Sequence, residues 1–392
     1  MQKPSHHGGK NISCELTRAP LAFDYQATTP CAEEVVEAMA PYWSDHWGNP
    51  SSRQHRLGLT ASAAVSVARK QLAECLAITP ERIVFTSGAT EANNLALLGR
   101  ARACGRGHLI SVASEHHAVL DPLRQLEREG FSVSLLQPGR DGLLDPKQLE
   151  DAVSSDTILV SVMAANNEIG VLQPLSALAA ICQANNIAFH CDAAQAFGHI
   201  PLQPDALGLD LVSLSAHKLY GPKGIGALIV KDGISLTPLQ WGGGQEQDLR
   251  AGTVPTPLVV GFAAAARLAL ADQESRAVRL RGLRDRLWAG LKQNLPQIQL
   301  NGPLEPRLPH NLNITAPGIN GSRLHRALRP QLQCSSGSAC SRGEPSHVLR
   351  AIGRSTKDAE ASLRLSIGRT TTAGEIDEAI QLITSAIHAL SP

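Results

Sequence analysis

Aromatic residues are scarce, 3% of the 392 positions, while alanine and leucine are abundant. That balance argues against an all-β sandwich and for a helix-rich α/β protein. No C-x-x-C pair occurs among the eight cysteines at 14, 31, 75, 104, 182, 191, 334 and 340. Without that spacing, neither a structural zinc site nor a thioredoxin-type redox motif is expected, and no metal is called for. Scattered thiols in so long a chain are expected to be reduced, which points to a cytoplasmic address. No apolar run is long enough to span a bilayer. No excess of charge is present either: the net charge is +1. Neither direct nucleic-acid binding nor attraction to an acidic membrane surface is therefore expected. The N-terminus lacks the apolar core of a signal peptide. Its basic bias (Lys3, Lys10 and Arg18 against Glu15) is shared by transit peptides and by ordinary tails. Residues 1–18 are read as a flexible tail and set aside from the fold.

From about residue 80 to 230, short apolar runs alternate with amphipathic stretches. RIVFTS, HLISVAS, SVSLLQ, TILVSVMAA, IAFHCD, DLVSLS and IGALIV read as strands, and several are apolar at successive positions, as strands buried on both faces are. EANNLALLGRARAC, HAVLDPLRQLEREG and LSALAAICQANN read as helices between them. This alternation predicts a mainly parallel sheet of seven strands flanked by helices. Residues 35–258 are assigned to that large domain. A long helix pattern then runs from about Val259 to Leu295, followed by HNLNIT, SRLHRALR, CSSGSACSRGEP, SLRLSIG and a closing helix. Residues 259–392 are assigned to a smaller α+β domain, joined by the segment 19–34.

Ligands in such sheets bind beyond the carboxyl ends of the strands. There the chain places SGATEAN, SEHHAV, NNEIG, DAAQ and SAHKLYGPKG. Lys218 follows a buried strand beside a glycine turn; alone it is no more than a surface lysine. Asp192 ends another buried strand and needs a partner there, which a protonated cofactor nitrogen could be. An N-cap or turn role is its plain alternative. Gly88-Ala89-Thr90 opens a helix whose free N–H groups, with the Thr90 hydroxyl, make a phosphate cradle.

Together, FTSGATEANN, SEHHAVL, NNEIG, HCDAAQ and SAHKLYGPKG resemble the pyridoxal-phosphate (PLP) enzymes of fold type I, in the class V aminotransferase group. FDYQATTP, WGNPSSRQHRLG, WGGGQEQDLRAGT, SSGSAC and SLRLSIGR narrow the resemblance to cysteine desulfurases, on the SSGSAC branch similar to the sulfur donors for iron–sulfur clusters. The resemblance starts at FDYQATTP and covers nearly all of the chain after it.

The resemblance implies pyridoxal 5'-phosphate as cofactor and L-cysteine as substrate. Lys218 would hold the cofactor covalently and shuttle protons. Asp192 would keep the pyridine nitrogen protonated, making the ring an electron sink. Gln195 and Asn167 would bind its phenolic oxygen, and Asn167 could also touch substrate. His116 would stack on the ring as acid or base, leaving His117 a plain helix residue. Ala89, Thr90, Ser215 and His217 would bind the phosphate. Thr253 would reach the phosphate of a neighbouring subunit, which requires a homodimer with shared active sites. Arg364 would clamp the substrate carboxylate, with Arg369 as competitor, and Asn49 would lie near the substrate. Cys340, among small residues, would attack the substrate sulfur as thiolate and carry a persulfide, releasing alanine. Cys334 could form a loop disulfide or receive sulfur. The terminal sulfur would pass to an acceptor, an iron–sulfur scaffold or a tRNA-thiolation system. The loop from Cys340 to Pro345 is a little shorter than in the housekeeping relatives, and the R-x-G-H-H-C loop of the other desulfurase group is absent. A selenocysteine or cystine lyase would keep Lys218 and Asp192 without depending on Cys340. A non-catalytic, acceptor-binding paralogue would need none of the set intact.

Overall fold

The computed structural model describes residues 19–336 and 345–391. Its centre is a seven-stranded sheet. In spatial order the strands are Ile83–Thr86, Gly226–Val230, Leu211–Ser215, Ala188–Asp192, Thr157–Ser161, His108–Val112 and Ser132–Leu136. All pairings are parallel except those of Gly226–Val230, which runs against both neighbours. The seven expected strands are all present, and the expected mainly parallel α/β architecture is what forms.

The successive apolar residues have a direct physical cause. Side chains alternate across a strand, and here each face meets helices. Val84, Leu109, Leu159, Leu211 and Leu228 pack into one layer with Leu95, Val119 and Leu123. Their neighbours Phe85, Ile110, Val160, Val212 and Ile229 pack into the opposite layer with Leu72, Leu178 and Phe262. Ser132–Leu136, at the sheet edge, is the one strand of this sheet with exposed positions, and it carries serines at two of its residues.

A second core gathers Leu21, Phe23, Leu287, Leu291, Leu312, Leu324, Leu363, Ile376 and Ile383. It covers a three-stranded antiparallel sheet of Gln299–Leu300, Asn311–Thr315 and Ser362–Ser366. The N-terminal strand Leu21–Ala22 pairs in parallel with Leu332–Gln333. The long helix expected over 259–295 is two helices, Thr256–Ala271 and Gln273–Asn294. Val259, Phe262 and Ala266 of the first belong to the large core, and Leu280, Leu287 and Leu291 of the second belong to the small one. The change of core thus falls at Asp272, not at residue 259, because the apolar face turns from one core to the other there. No helix among the described residues is long and apolar enough to cross a membrane.

Candidate active site

The carboxyl ends of the parallel strands open onto a cavity of about 470 Å³. All of the parallel strands but the edge strand Ser132–Leu136 deliver residues at or just after their ends there, as the strand-end rule requires. Ala89, Thr90, His116, Asn167, Asp192, Gln195, Ser215, His217, Lys218 and Arg364 all line it. Residues as far apart in sequence as Ala89 and Arg364 are thereby brought around one space. Asn49 and Thr253 do not line it: Asn49 is exposed and its side chain accepts from Ser51 N at 2.9 Å. Thr253 borders a separate surface hollow with Trp241 and Gly252. Arg369 pairs with Asp272 at 3.5 Å and lies off the cavity wall. Cys340 falls outside the described residues.

Lys218 ends a 3-10 turn, Ala216–Lys218, directly after its strand. Its Nζ donates to the main-chain oxygens of Gln26 at 2.6 Å and Ala27 at 2.9 Å. Asp192 is buried, and its two oxygens accept from Asn93 Nδ2 at 2.7 Å and Ala194 N at 2.9 Å. A carboxylate offers about four acceptor positions, so capacity remains for a third donor. Asn93 was not singled out from the sequence although it lies in FTSGATEANN; its partner is 99 residues away and only the fold joins them.

His116 is the N-cap of the helix His117–Arg128, its Nδ1 accepting from Ala118 N at 3.0 Å. That bond fixes the tautomer, leaving Nε2 to carry the proton. Burial lowers its pKa; Asp192 opposes the shift and Lys218 adds to it. His217 sits with Nδ1 3.1 Å from Thr28 Oγ1 and is pushed down to about 4 by burial and by Lys218 and Lys223.

The segment expected to cradle a phosphate is built from backbone. Gly88 has φ +154°, and no side chain caps the helix that starts at Ala89. Gly226 lies behind it: a Cβ there would stand 2.7 Å from Gly88 Cα and 2.4 Å from Leu214 O. Only glycine lets the antiparallel strand approach the cradle this closely.

Arg364, 2% exposed, donates to Asp24 Oδ1 at 2.7 Å and to Asn167 O at 2.8 Å. The guanidinium is thus held at the wall beside Asn167, whose own Oδ1 is buried without a partner.

Two carboxyls behind the site were not legible as special. Glu115 is fully buried; burial first, and Asp192 in addition, raise its pKa well above the usual range. Its Oε1 accepts from Met163 N at 2.7 Å. Glu168, in NNEIG, takes a hydrogen bond from the Ser346 hydroxyl and is pushed up to about 7 by burial, against the pull of Ser346 and Arg364. For an acid raised in the folded state, the stabilising contribution is complete below the ordinary 4.5 and is lost as pH climbs through about 7. Glu168→Gln removes this slope. Chemical denaturation between about pH 5 and 8 should show the wild type losing on the order of 2 kcal/mol relative to the variant. A wild type that gains on the variant over that range would contradict the assignment.

Comparison with known proteins now fixes the class. The aminotransferase class-V family model matches residues 21–379, and the chain belongs to that family. The family is PLP-dependent. A cysteine desulfurase IscS of Colwellia psychrerythraea is 48% identical over 381 residues, covering 95% of this chain and 94% of the relative. The IscS of Rickettsia akari is 45% identical over 377 residues, covering 95% and 92%. Among solved structures, a NifS-like protein superposes with a TM-score of 0.89 at 34% identity, over 95% of this chain and all of the other. A structure described as SspA in complex with cysteine gives 0.78 at 38%, over 88% and 98%.

The cavity fits the cofactor. Asp192 retains acceptor capacity at its base, the glycine cradle presents uncapped N–H groups, and the orphaned Asn167 Oδ1 awaits a donor.

Proposed function

We propose that this protein is a PLP-dependent cysteine desulfurase, converting L-cysteine to L-alanine with transfer of the sulfur to Cys340. The observation that carries the reading is the meeting of Lys218, Asp192, His116 and Arg364 around one cavity. Its relation to IscS enzymes at 45–48% identity over nearly the full chain supports the same activity.

Bound PLP supplies an electron sink for the carbanion formed at the substrate α-carbon. Lys218 holds the cofactor and moves the α-proton. Asp192 holds the proton on the ring nitrogen, and Asn93 and Ala194 N keep its carboxylate oriented. Gln195 and Asn167 bind the phenolic oxygen, while Ala89, Thr90, Ser215 and His217 bind the phosphate. His116 would meet the ring of the bound cofactor and could exchange a proton at Nε2. Arg364 takes the substrate carboxylate. The Cys340 thiolate attacks the substrate sulfur; the Cβ–S bond breaks and an S–S bond forms. Cys340 leaves as a persulfide and the carbon skeleton takes up protons to become alanine.

Incubation with L-cysteine, assayed for alanine and for persulfide on the protein, tests the reading directly. Alanine formation without any protein-bound sulfur would favour a lyase instead. Arg364→Lys keeps a charge but loses the planar two-pronged donor. KM for cysteine should rise about tenfold or more, with kcat less affected. An unchanged KM would move the carboxylate elsewhere.

The reading includes a homodimer. Trp43, Trp47 and Trp241 are 60%, 67% and 80% exposed, a costly arrangement for a lone chain. Thr253 shares the hollow beside Trp241, apart from its own chain's cavity, which suits a residue serving a partner's phosphate. The acceptor of the sulfur is taken to be an iron–sulfur scaffold or a tRNA-thiolation protein, in the cytoplasm. The large core through Ala271 is taken as the cofactor-binding domain, and the smaller core as the domain bearing the Cys340 loop.

A further inference from the structure

Beside the main chain of Lys218, two histidine rings meet. The His199 and His310 ring centroids are 4.3 Å apart with the planes inclined by 33°. His199 follows the segment that begins with Asp192, in the large core; His310 immediately precedes the strand Asn311–Thr315 of the small one. His199 Nε2 lies 2.9 Å from the main-chain oxygen of Lys218. A carbonyl only accepts, so Nε2 carries the hydrogen and donates.

We propose that His199, braced by the ring of His310, is a positioning residue for Lys218. The inference rests on the reading of Lys218 as the cofactor-binding lysine. The reach of a side chain into a cavity is set by its own main chain. Lys218 ends a single 3-10 turn, a weak element held mainly by its surroundings. His199 fixes the carbonyl of that turn, while Gln26 and Ala27 receive the amine at the end of the side chain. The site of His199 is itself anchored: Gly198 O accepts from Arg276 Nη2 at 2.6 Å, and Arg276 also donates to Ala269 O at 2.7 Å. His310 brings the small core into the same contact, so the lysine is placed relative to both cores at once.

The pair is not ordinary filler. The Nδ1 atoms of both histidines are buried without a partner. Orphaned buried nitrogens are uncommon and destabilising, and a phenylalanine would fill the space without them. What a phenylalanine at 199 could not do is donate to Lys218. Burial, with Arg276 and Lys218 nearby, pushes His199 down to about 4, so the neutral donor persists through the physiological range.

The test compares His199→Phe, which keeps the ring and loses the donor, with His199→Gln, whose Nε2 can occupy the position of the imidazole Nε2. Protein stripped of cofactor is mixed with pyridoxal phosphate, and formation of the lysine-bound chromophore is followed by absorbance. His199→Phe should form it about tenfold more slowly, the effect expected for one orphaned buried acceptor. It should also show a larger isotope effect with α-deuterated cysteine. His199→Gln should remain within about twofold of the wild type. Equal losses in Phe and Gln variants would reduce the role to packing, and an unaffected Phe variant would remove it. Should His199→Phe fail to fold, His310→Ala against His310→Phe decides: only the alanine variant should slow chromophore formation, and equal rates would overturn the proposal. A wild type that forms no chromophore would instead sink the reading of Lys218 itself.

Discussion

Lys218→Ala is expected to lower cysteine turnover by at least about a thousandfold, the upper part of what a positioned acid–base group contributes. Two losses coincide in this variant. The covalent attachment of the cofactor goes, and so does the amine that moves the α-proton. The cradle at Gly88–Thr90 and the Asp192 carboxylate do not depend on the lysine; Asp192 is held by Asn93 and Ala194. The variant should therefore still bind PLP, noncovalently, and borohydride should no longer fix cofactor to the protein. Dialysis and reduction followed by mass measurement distinguish the two. Retained turnover within tenfold of the wild type would remove Lys218 from the mechanism. Folding is not expected to suffer greatly, because the amine donates to main-chain oxygens of Gln26 and Ala27, which an alanine leaves at the wall of an open cavity.

Cys340→Ser should abolish transfer of sulfur while leaving the cofactor bound. A hydroxyl is far less nucleophilic than a thiolate and gives no stable product with sulfur. Alanine release and protein persulfide should both fall at least about a hundredfold, while the spectral change on adding cysteine persists. This outcome separates a desulfurase from the lyases that share Lys218 and Asp192. Full sulfide release by the variant would sink the persulfide route. Cys334 is a poor substitute. Its thiol is pushed up to about 12, by burial first and by Asp24 next, with Arg364 opposing, so thiolate is disfavoured there.

Much of this site could be read from the chain before the fold was known, for a definite physical reason. Strands buried on both faces produce continuous apolar runs, and the polar motifs that interrupt them fall at strand ends. That pattern located Asp192, Lys218 and the Gly88 cradle together. What escaped depends on depth or direction. Nothing in IGALIV says that the strand runs antiparallel, yet that direction brings Gly226 against Gly88. Glu115 and Glu168 stand inside quoted motifs, but their raised pKa values arise from burial, which spacing does not report. His199 and His310 lie 111 positions apart and meet only when two cores dock. The helix break at Asp272 was hidden because the Ala/Leu/Arg texture continues across it while the buried face changes partner. Asn49 and Thr253 were tied to substrate and phosphate by resemblance alone, and one chain's cavity excludes both.

The route of residues 21–27 has a bearing on how the protein is made. Gln26 and Ala27 receive the lysine amine, Asp24 pairs with Arg364, and Leu21–Ala22 joins a strand at Leu332–Gln333. These residues are made well before their partners Lys218, Leu332–Gln333 and Arg364. A nascent chain can assemble the seven-stranded sheet without the means to close the pocket. The pocket therefore reaches its finished geometry only after Arg364 has emerged. Ribosome-bound chains truncated before residue 332 should fold their sheet yet lack the finished pocket.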